Sequence, residues 1–160
     1  MLPEGRDRLR AELDRLKNHE RPAISQQIEV AREHGDLREN AEYHAAKDKQ
    51  GMVEARIRDL ETKLALAQLI DPERLSGSRV TFGATVKLLD VDSDEELLYR
   101  IVGEEEASFK HGLINSKSPI AQGVLGREEG DEVKVATASG TRRFEILEVS
   151  YVKIELPEAD

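Results

Sequence analysis

Apolar residues recur at alternating intervals of four and three through most of residues 5–70. This spacing is the two-per-heptad stripe of a coiled coil, which is narrower than the buried face of a globular helix. Because the stripe is interrupted at Gly35, the sequence predicts two helices joined by a tight turn as an antiparallel hairpin. The positions expected in the stripe are Leu9, Leu13, Leu16, Ile24, Ile28, Ala31, Leu37, Ala41, Ala45, Val53, Ile57, Leu60, Leu64 and Ala67.

The second helix of this hairpin is expected over residues 37–69, which gives a length of about 50 Å at 1.5 Å per residue. Pro22 interrupts the first helix. Either a kink or a helix that restarts with proline at its first position would accommodate it. A rod of this length in a small chain either joins copies of the chain or carries its tip to another molecule.

The second half of the chain changes from helical to strand-like spacing. Asp71-Pro72 and Ser76-Gly77-Ser78 predict a boundary, so we expect a hairpin domain over 1–75 and a second domain over 76–160. Ser118 as N-cap, followed by Pro119, predicts one short helix that ends at Gly126. The expected strands are 80–82, 84–91, 97–102, 132–136 and 144–152, with turns at 92–94 and 139–140. The fold class is therefore α+β, a helical hairpin followed by a small antiparallel sheet with one short helix.

Composition excludes several classes of function. The chain has no cysteine, which excludes disulfides, thiolate metal sites and cysteine nucleophiles. Aromatic residues make up only 4%, which argues against an aromatic ligand pocket or a stacking platform for single-stranded nucleic acid. No apolar run approaches the ~18 residues of a membrane span, and the first residues do not resemble a signal peptide. We therefore expect a cytoplasmic protein.

The charge of the chain is acidic, with a formal net value of −9. Residues 76–160 carry 10 basic and 17 acidic side chains, so most of the excess lies in the second domain. Free-standing nucleic-acid binders usually gain affinity by neutralising phosphates with lysine and arginine. The acidic second domain is thus either a docking surface for a basic protein or simply a solvated surface.

Two carboxylates, Asp36 and Glu39, follow the break at Gly35. Their spacing is that of a capping box, with Asp36 at the N-cap and Glu39 at the third helical position. The same spacing places two oxygen ligands on one helix face, where they could hold Mg²⁺. Because Mg²⁺ takes six ligands, a second molecule would have to supply the others.

Basic side chains also lie near this turn, namely Arg32, Arg38, Lys47 and Lys49. Acidic residues separate them, so they form either an ordinary solvated helix face or a short contact with one nucleic-acid strand. The four histidines have no metal-ligand spacing, and we interpret them as ordinary polar positions.

The residues around the turn carry a specific resemblance. The run from Ala31 to Lys47, AREHGDLRENAEYHAAK, is similar to the tip of the bacterial transcript-cleavage factors GreA and GreB. The second domain also resembles that family, with a pattern closer to the GreA branch. The matching runs there are 80–86, 92–96, 99–103, 118–121 and 144–146.

The resemblance implies a mechanism centred on the hairpin tip. In this family the hairpin enters the secondary channel of a backtracked bacterial RNA polymerase. Asp36 and Glu39 would there hold Mg²⁺ jointly with the polymerase, which then cleaves the nascent RNA near its 3′ end. Arg32, Arg38 and Lys47 would contact that RNA. The factor would thus activate the polymerase rather than be an enzyme itself.

For the second domain, the resemblance implies a fold like that of the FK506-binding proteins and docking on the polymerase rim. Ser118, Pro119 and Ile120 would form part of that contact, although Ser118-Pro119 is equally typical of a helix start. We expect a monomer with no membrane contact.

Two other functions remain open at this point. A relative that occupies the channel could inhibit the polymerase, although the intact Asp36 and Glu39 pair argues against this. A coiled-coil oligomer with a folding-helper domain would instead form an obligate dimer through the hairpin.

Overall fold

The computed structural model describes residues 1–35 and 40–158, which form two compact units. The hairpin unit comprises Arg6–Ala67, and the sheet unit comprises Met1–Gly5 together with the chain from Gln68 onward.

These bounds differ from the expected 1–75 and 76–160 because the first residues pack within the sheet unit. The Ile70 N–H donates to the Met1 carbonyl oxygen at 2.9 Å. The Leu2 side chain is buried in a cluster with Val102, Leu113 and Ile154. Short-range periodicity cannot reveal a contact between residues this far apart in sequence.

Three α-helices and one π-helical turn account for most of the first 66 residues. Helix α3 has 26 residues and thus a length of about 39 Å at 1.5 Å per residue, shorter than the expected 37–69. The elements are α1 (Pro3–Arg15), the π-helical turn Leu16–Glu20, α2 (Arg21–Arg32) and α3 (Ala41–Leu66). Among the described residues, no helix is both long and apolar enough to cross a membrane.

The π-helical turn lies immediately before Pro22. There the Arg21 N–H donates to the Leu16 carbonyl oxygen, five residues earlier. Pro22 has no N–H to donate and its ring crowds the preceding turn, so a regular α-helix cannot continue through it. The helix widens by one residue before Pro22, and Glu20 and Arg21 keep right-handed helical backbone angles. The expected restart was therefore wrong, because the chain stays helical from α1 through the π-helical turn into α2.

The apolar stripe of α3 differs in phase from the prediction. Ala41 and Ala45 are exposed, whereas Tyr43 and Ala46 face the packed side of the helix. Leu37 lies outside the described residues. Extending the four-three series backwards from Val53 reaches Gln50, Ala46 and Tyr43, so one uninterrupted stripe runs through α3. The prediction started a new stripe at the glycine break and was therefore wrong at these alanines.

Ion pairs along the hairpin show that α3 runs antiparallel to the helical segments α1 and α2. Arg21 contacts Glu54 through two hydrogen bonds of 2.8 and 2.9 Å. Farther from the turn, Arg56 contacts Glu12 through bonds of 2.9 and 3.0 Å. From the first ion pair to the second, the residue number rises from 54 to 56 in α3 and falls from 21 to 12 in the segments that face it. The hydrogen bonds from Arg21 hold the pKa of Glu54 below its usual value.

The sheet unit contains a five-stranded sheet in the order β3-β2-β1-β5-β4. The pairs β1–β2, β1–β5 and β4–β5 are antiparallel, whereas β2 and β3 are parallel, so the sheet is mixed rather than purely antiparallel. The strands are β1 (Thr85–Asp90), β2 (Glu96–Val102), β3 (Leu113–Asn115), β4 (Glu132–Thr137) and β5 (Gly140–Ser150).

One short helix, α4 (Pro119–Val124), packs against this sheet. The close approach requires glycine at position 123, because a Cβ there would lie 2.6 Å from Cγ2 of Val135. Around the helix lies the main core, whose largest fully buried side chains include Phe144, Leu88, Ile101 and Ile146. The α+β class and the short helix capped by Ser118 are both confirmed.

One strand prediction was wrong and one strand was missed. Residues 80–82 form no regular strand; the neighbouring Arg79 makes one isolated bridge to Glu128. Val80 is nevertheless fully buried, so its β-branched character reflects core packing. Strand β3 was missed because three residues are too few to show a period.

Candidate functional site

The end of the hairpin is built from the last turn of α2 and the first turn of α3. Arg32 is the last residue of α2, and the His34 N–H donates to the Ala31 carbonyl oxygen at 3.2 Å. Gly35 has a φ of 114°, a left-handed conformation that residues with a side chain rarely adopt. The glycine therefore lets the chain leave the helix direction at this point.

Helix α3 begins at Ala41 and its N-cap is Asn40. The Tyr43 N–H donates to Oδ1 of Asn40 at 3.0 Å. This corrects the capping-box prediction, since the cap of the helix is Asn40 rather than Asp36. The first turn of α3 is described from Ala41 onward.

Three predicted site residues, Asp36, Arg38 and Glu39, lie outside the described residues, so their roles stay predictions. The other two predicted RNA-contact residues are described. Arg32 and Lys47 are both exposed, and Nζ of Lys47 donates to Oε1 of Gln50 at 3.2 Å.

No self-contained metal centre is present in residues 1–35 and 40–158. Nowhere in that part of the chain do three or more histidine or acidic side chains come together as metal ligands.

The predicted docking residues of the sheet unit lie at the start of α4. Oγ of Ser118 accepts a hydrogen bond from the Ala121 N–H at 3.4 Å, Pro119 is exposed, and Ile120 is 9% exposed. All three line an open cavity of about 380 Å³. Ile120 contributes to the core as well as to the wall of this cavity, so only part of its side chain is available to a partner.

Phe109 belongs to the same cavity and was not singled out from the sequence as a site residue. Its side chain is 71% exposed. Its ring lies 6.0 Å from that of Tyr99, which is buried. An exposed aromatic ring over an apolar cavity is typical of interaction surfaces. Its position in a 3-10 turn, Phe109–His111, is the feature that a strand-based interpretation missed.

Comparison with known families covers both units. A family model described as "Transcription elongation factor, N-terminal" matches residues 1–69, and one described as "Transcription elongation factor, GreA/GreB, C-term" matches residues 75–151. The chain belongs to the GreA/GreB family of transcription elongation factors. The recognition made from the tip residues and the sheet-unit runs is thereby confirmed.

Individual relatives agree with this family over nearly their full length. The chain is 54% identical over 152 residues to transcription elongation factor GreA of a Jannaschia species, covering 95% of this chain and 97% of that one. It is 55% identical over 152 residues to GreA of Alkalilimnicola ehrlichii, covering 94% and 96%.

Among solved structures, the chain is 27% identical to GreA factor homolog 1 (Gfh1) of Thermus thermophilus, covering 93% of this chain and 96% of that one at a TM-score of 0.42. It is 31% identical to a GreA/GreB factor from Nitrosomonas europaea, covering 59% and 79% at a TM-score of 0.42. TM-scores of this size carry no weight in the assignment, which rests on the two domain matches.

Proposed function

We propose that this elongation factor stimulates Mg²⁺-dependent cleavage of backtracked RNA by bacterial RNA polymerase. The observation that carries the proposal is the position of the acidic pair in the chain. Asp36 and Glu39 fall within the short connection between Arg32, where α2 ends, and Ala41, where α3 begins. Covalent connectivity thus puts them at the closed end of a two-helix rod, where a narrow channel of another protein could receive them.

The chemistry of the pair fits Mg²⁺, which prefers carboxylate oxygens and an octahedral shell. Asp36 and Glu39 would bind the ion from one side, and the polymerase would supply the remaining ligands. When bound, Mg²⁺ activates water and offsets the charge that develops on the phosphodiester. The bond would be cleaved at the polymerase centre, so the factor itself would be an accessory.

Two further contacts complete the proposal. Arg32, Arg38 and Lys47 would bind phosphates of the nascent RNA near its 3′ end, and the exposed side chains of Arg32 and Lys47 are compatible with that role. The α4 start at Ser118, Pro119 and Ile120 would dock on the rim of the secondary channel. The negative charge of residues 76–160 favours a basic partner surface.

The test is a cleavage assay on stalled, backtracked polymerase complexes with Mg²⁺. We expect Asp36→Asn and Glu39→Gln each to slow the stimulated cleavage at saturating factor by about 100-fold or more, since a ligand to the activating ion is lost. Binding to the polymerase, measured by competition, should change by less than about threefold.

Glu42→Gln is the matched control, because it removes one exposed carboxylate from the first turn of α3 without touching the pair. It should cleave like the unmodified protein. Normal cleavage by the Asp36→Asn, Glu39→Gln double variant would refute the proposed function. Slowed nucleotide addition on unpaused complexes would point instead to an inhibitor that occupies the channel.

A further inference from the structure

We propose that Asn40 is a positioning residue that holds the ends of α2 and α3 together, and thereby fixes the connection that carries Asp36 and Glu39. Its carboxamide makes one bond to each helix. Nδ2 donates to the Ala31 carbonyl oxygen in the last turn of α2, and Oδ1 accepts from the Tyr43 N–H in the first turn of α3. The inference rests on the proposed function, because it concerns the geometry of the same acidic pair.

Both partners of Asn40 are anchored in the hairpin core. Ala31 is only 2% exposed. The Tyr43 ring packs on the buried cluster of Ile24, Ile28 and Ala46. The carboxamide therefore connects two backbone positions that packing already holds in place, rather than two fraying ends.

Only a carboxamide of this length supplies both bonds. Asparagine carries an acceptor oxygen and an NH₂ donor on one planar group. Aspartate and serine are equally good N-caps, but ionised aspartate has no donor, and serine has a single, shorter-reaching oxygen that cannot occupy both the Oδ1 and the Nδ2 positions of asparagine. The role of Asn40 thus exceeds that of an N-cap, for which several residues would serve.

The catalytic consequence follows from where the connection is attached. Asp36 and Glu39 lie between Ala31 and Asn40, and Glu39 is directly bonded to the clamping residue. Catalytic groups need positions accurate to a fraction of an ångström, and about 1 Å of misplacement can cost on the order of 100-fold in rate. Loss of the bond to Ala31 should therefore slow cleavage without weakening docking, since the docking residues lie in the sheet unit.

The experiment compares Asn40→Ser and Asn40→Asp with the unmodified full chain. Both variants keep an N-cap acceptor and remove the Nδ2 group that donates to Ala31, and serine adds no charge. At saturating factor we expect cleavage to slow by about 10- to 100-fold, with half-maximal factor concentration unchanged within about threefold. We also expect a higher Mg²⁺ concentration at half-maximal cleavage, which a purely structural role would not produce.

A second measurement needs no polymerase. Because the chain lacks cysteine, spin labels can be placed on Glu33→Cys and Glu42→Cys, both at exposed positions on either side of the connection. The distance distribution between the labels should broaden when Asn40→Ser is added. Arg21→Gln, which breaks the ion pair with Glu54 in the same hairpin, is the matched control and should change neither the distribution nor the cleavage rate.

Slower cleavage together with a broadened distribution supports the inference. An unchanged distribution, or normal cleavage by both Asn40 variants while Asp36→Asn remains inactive, overturns the clamp and leaves the proposed function standing. Normal cleavage by the Asp36→Asn, Glu39→Gln double variant overturns both.

Discussion

Replacing Glu106 with glutamine tests what holds the first residues of the chain within the sheet unit. The Glu106 side chain is 4% exposed, and each of its carboxylate oxygens accepts one backbone hydrogen bond. The Leu2 N–H donates to Oε2 at 2.7 Å, and the Gly103 N–H donates to Oε1 at 3.0 Å. Glutamine has the same shape but only one acceptor, so one of the two N–H groups would face an NH₂ group instead.

The magnitude follows from two opposing effects. An unsatisfied buried donor costs about 1–3 kcal/mol. Against this, burial raises the pKa of Glu106 despite the two N–H donors, which means that burial disfavours the charged form of the wild-type side chain. Removing the charge recovers part of that cost. The net destabilisation expected at pH 7 is therefore in the lower part of the range, about 1–2 kcal/mol.

The sign of the pH dependence follows from the raised pKa. In the folded chain Glu106 takes up its proton at a higher pH than in the unfolded chain, so lowering the pH through that window stabilises the folded state. Glutamine does not titrate. The stability difference between wild type and Glu106→Gln should therefore grow as the pH falls from 7 towards the unfolded value of about 4.3.

Urea unfolding of the full chain measures both effects, followed by tyrosine circular dichroism because Tyr99 and Tyr151 lie in the sheet unit. A loss of 1–2 kcal/mol shifts the midpoint by about 1 M for a unit of this size. Glu104→Gln, an exposed carboxylate two residues away, is the matched control and should shift it little. Equal midpoints for Glu106→Gln and Glu104→Gln, or a difference that shrinks at lower pH, would refute the reasoning.

Two further predictions concern glycines and the docking surface. Gly51→Ala should stabilise α3 by about 1 kcal/mol, because nothing lies near the added Cβ. Gly5→Ala in α1 should instead destabilise the folded chain by about 1–3 kcal/mol, because its Cβ would lie 2.8 Å from Cγ of Glu106. Thermal melts in which both variants shift the melting temperature in the same direction would contradict this. Phe109→Ser should leave the melting temperature nearly unchanged, since the ring is mostly exposed. It should raise the factor concentration at half-maximal cleavage about tenfold or more, because an aromatic contact to the polymerase would be lost. An unchanged concentration would show that Phe109 is not part of the docking surface.

In the hairpin unit, the spacing of apolar residues predicted where the helices lie better than it predicted which side chains are buried. The series from Val53 to Leu60 placed α3 correctly because its period is long and unbroken. The phase failed near the turn because alanine is apolar enough to pass as a core residue, while Tyr43, which does pack in the core, looks like a polar-tipped surface residue. The clamp by Asn40 was not foreseen, since its partner Ala31 lies nine residues away across the connection.

In the sheet unit, turn chemistry was the most reliable signal. Asp92-Ser93-Asp94 forms the β1–β2 turn, in which Oδ1 of Asp90 accepts from the N–H groups of Asp92 and Ser93. The parallel strand β3 and the burial of Leu2 depend on long-range packing, which no local pattern encodes. No local pattern indicated that Phe109 is exposed, and phenylalanine is a residue type that is more often buried.

The net charge of the chain constrains how the proposed function can work. A protein with 33 acidic and 24 basic residues cannot hold RNA by long-range attraction, and a few exposed cations such as Arg32 and Lys47 contribute little on their own. Affinity for the transcription complex must then come from protein–protein contact, for which the apolar cavity at Phe109 and Pro119 is the described candidate. Under the proposed function, the hairpin end would then increase the rate of RNA cleavage and contribute little to binding affinity. In that role, carboxylates there would repel RNA when no cation is present and would act only with an ion between them and the phosphate. The proposal therefore requires both Mg²⁺ and a partner that already binds the nucleic acid.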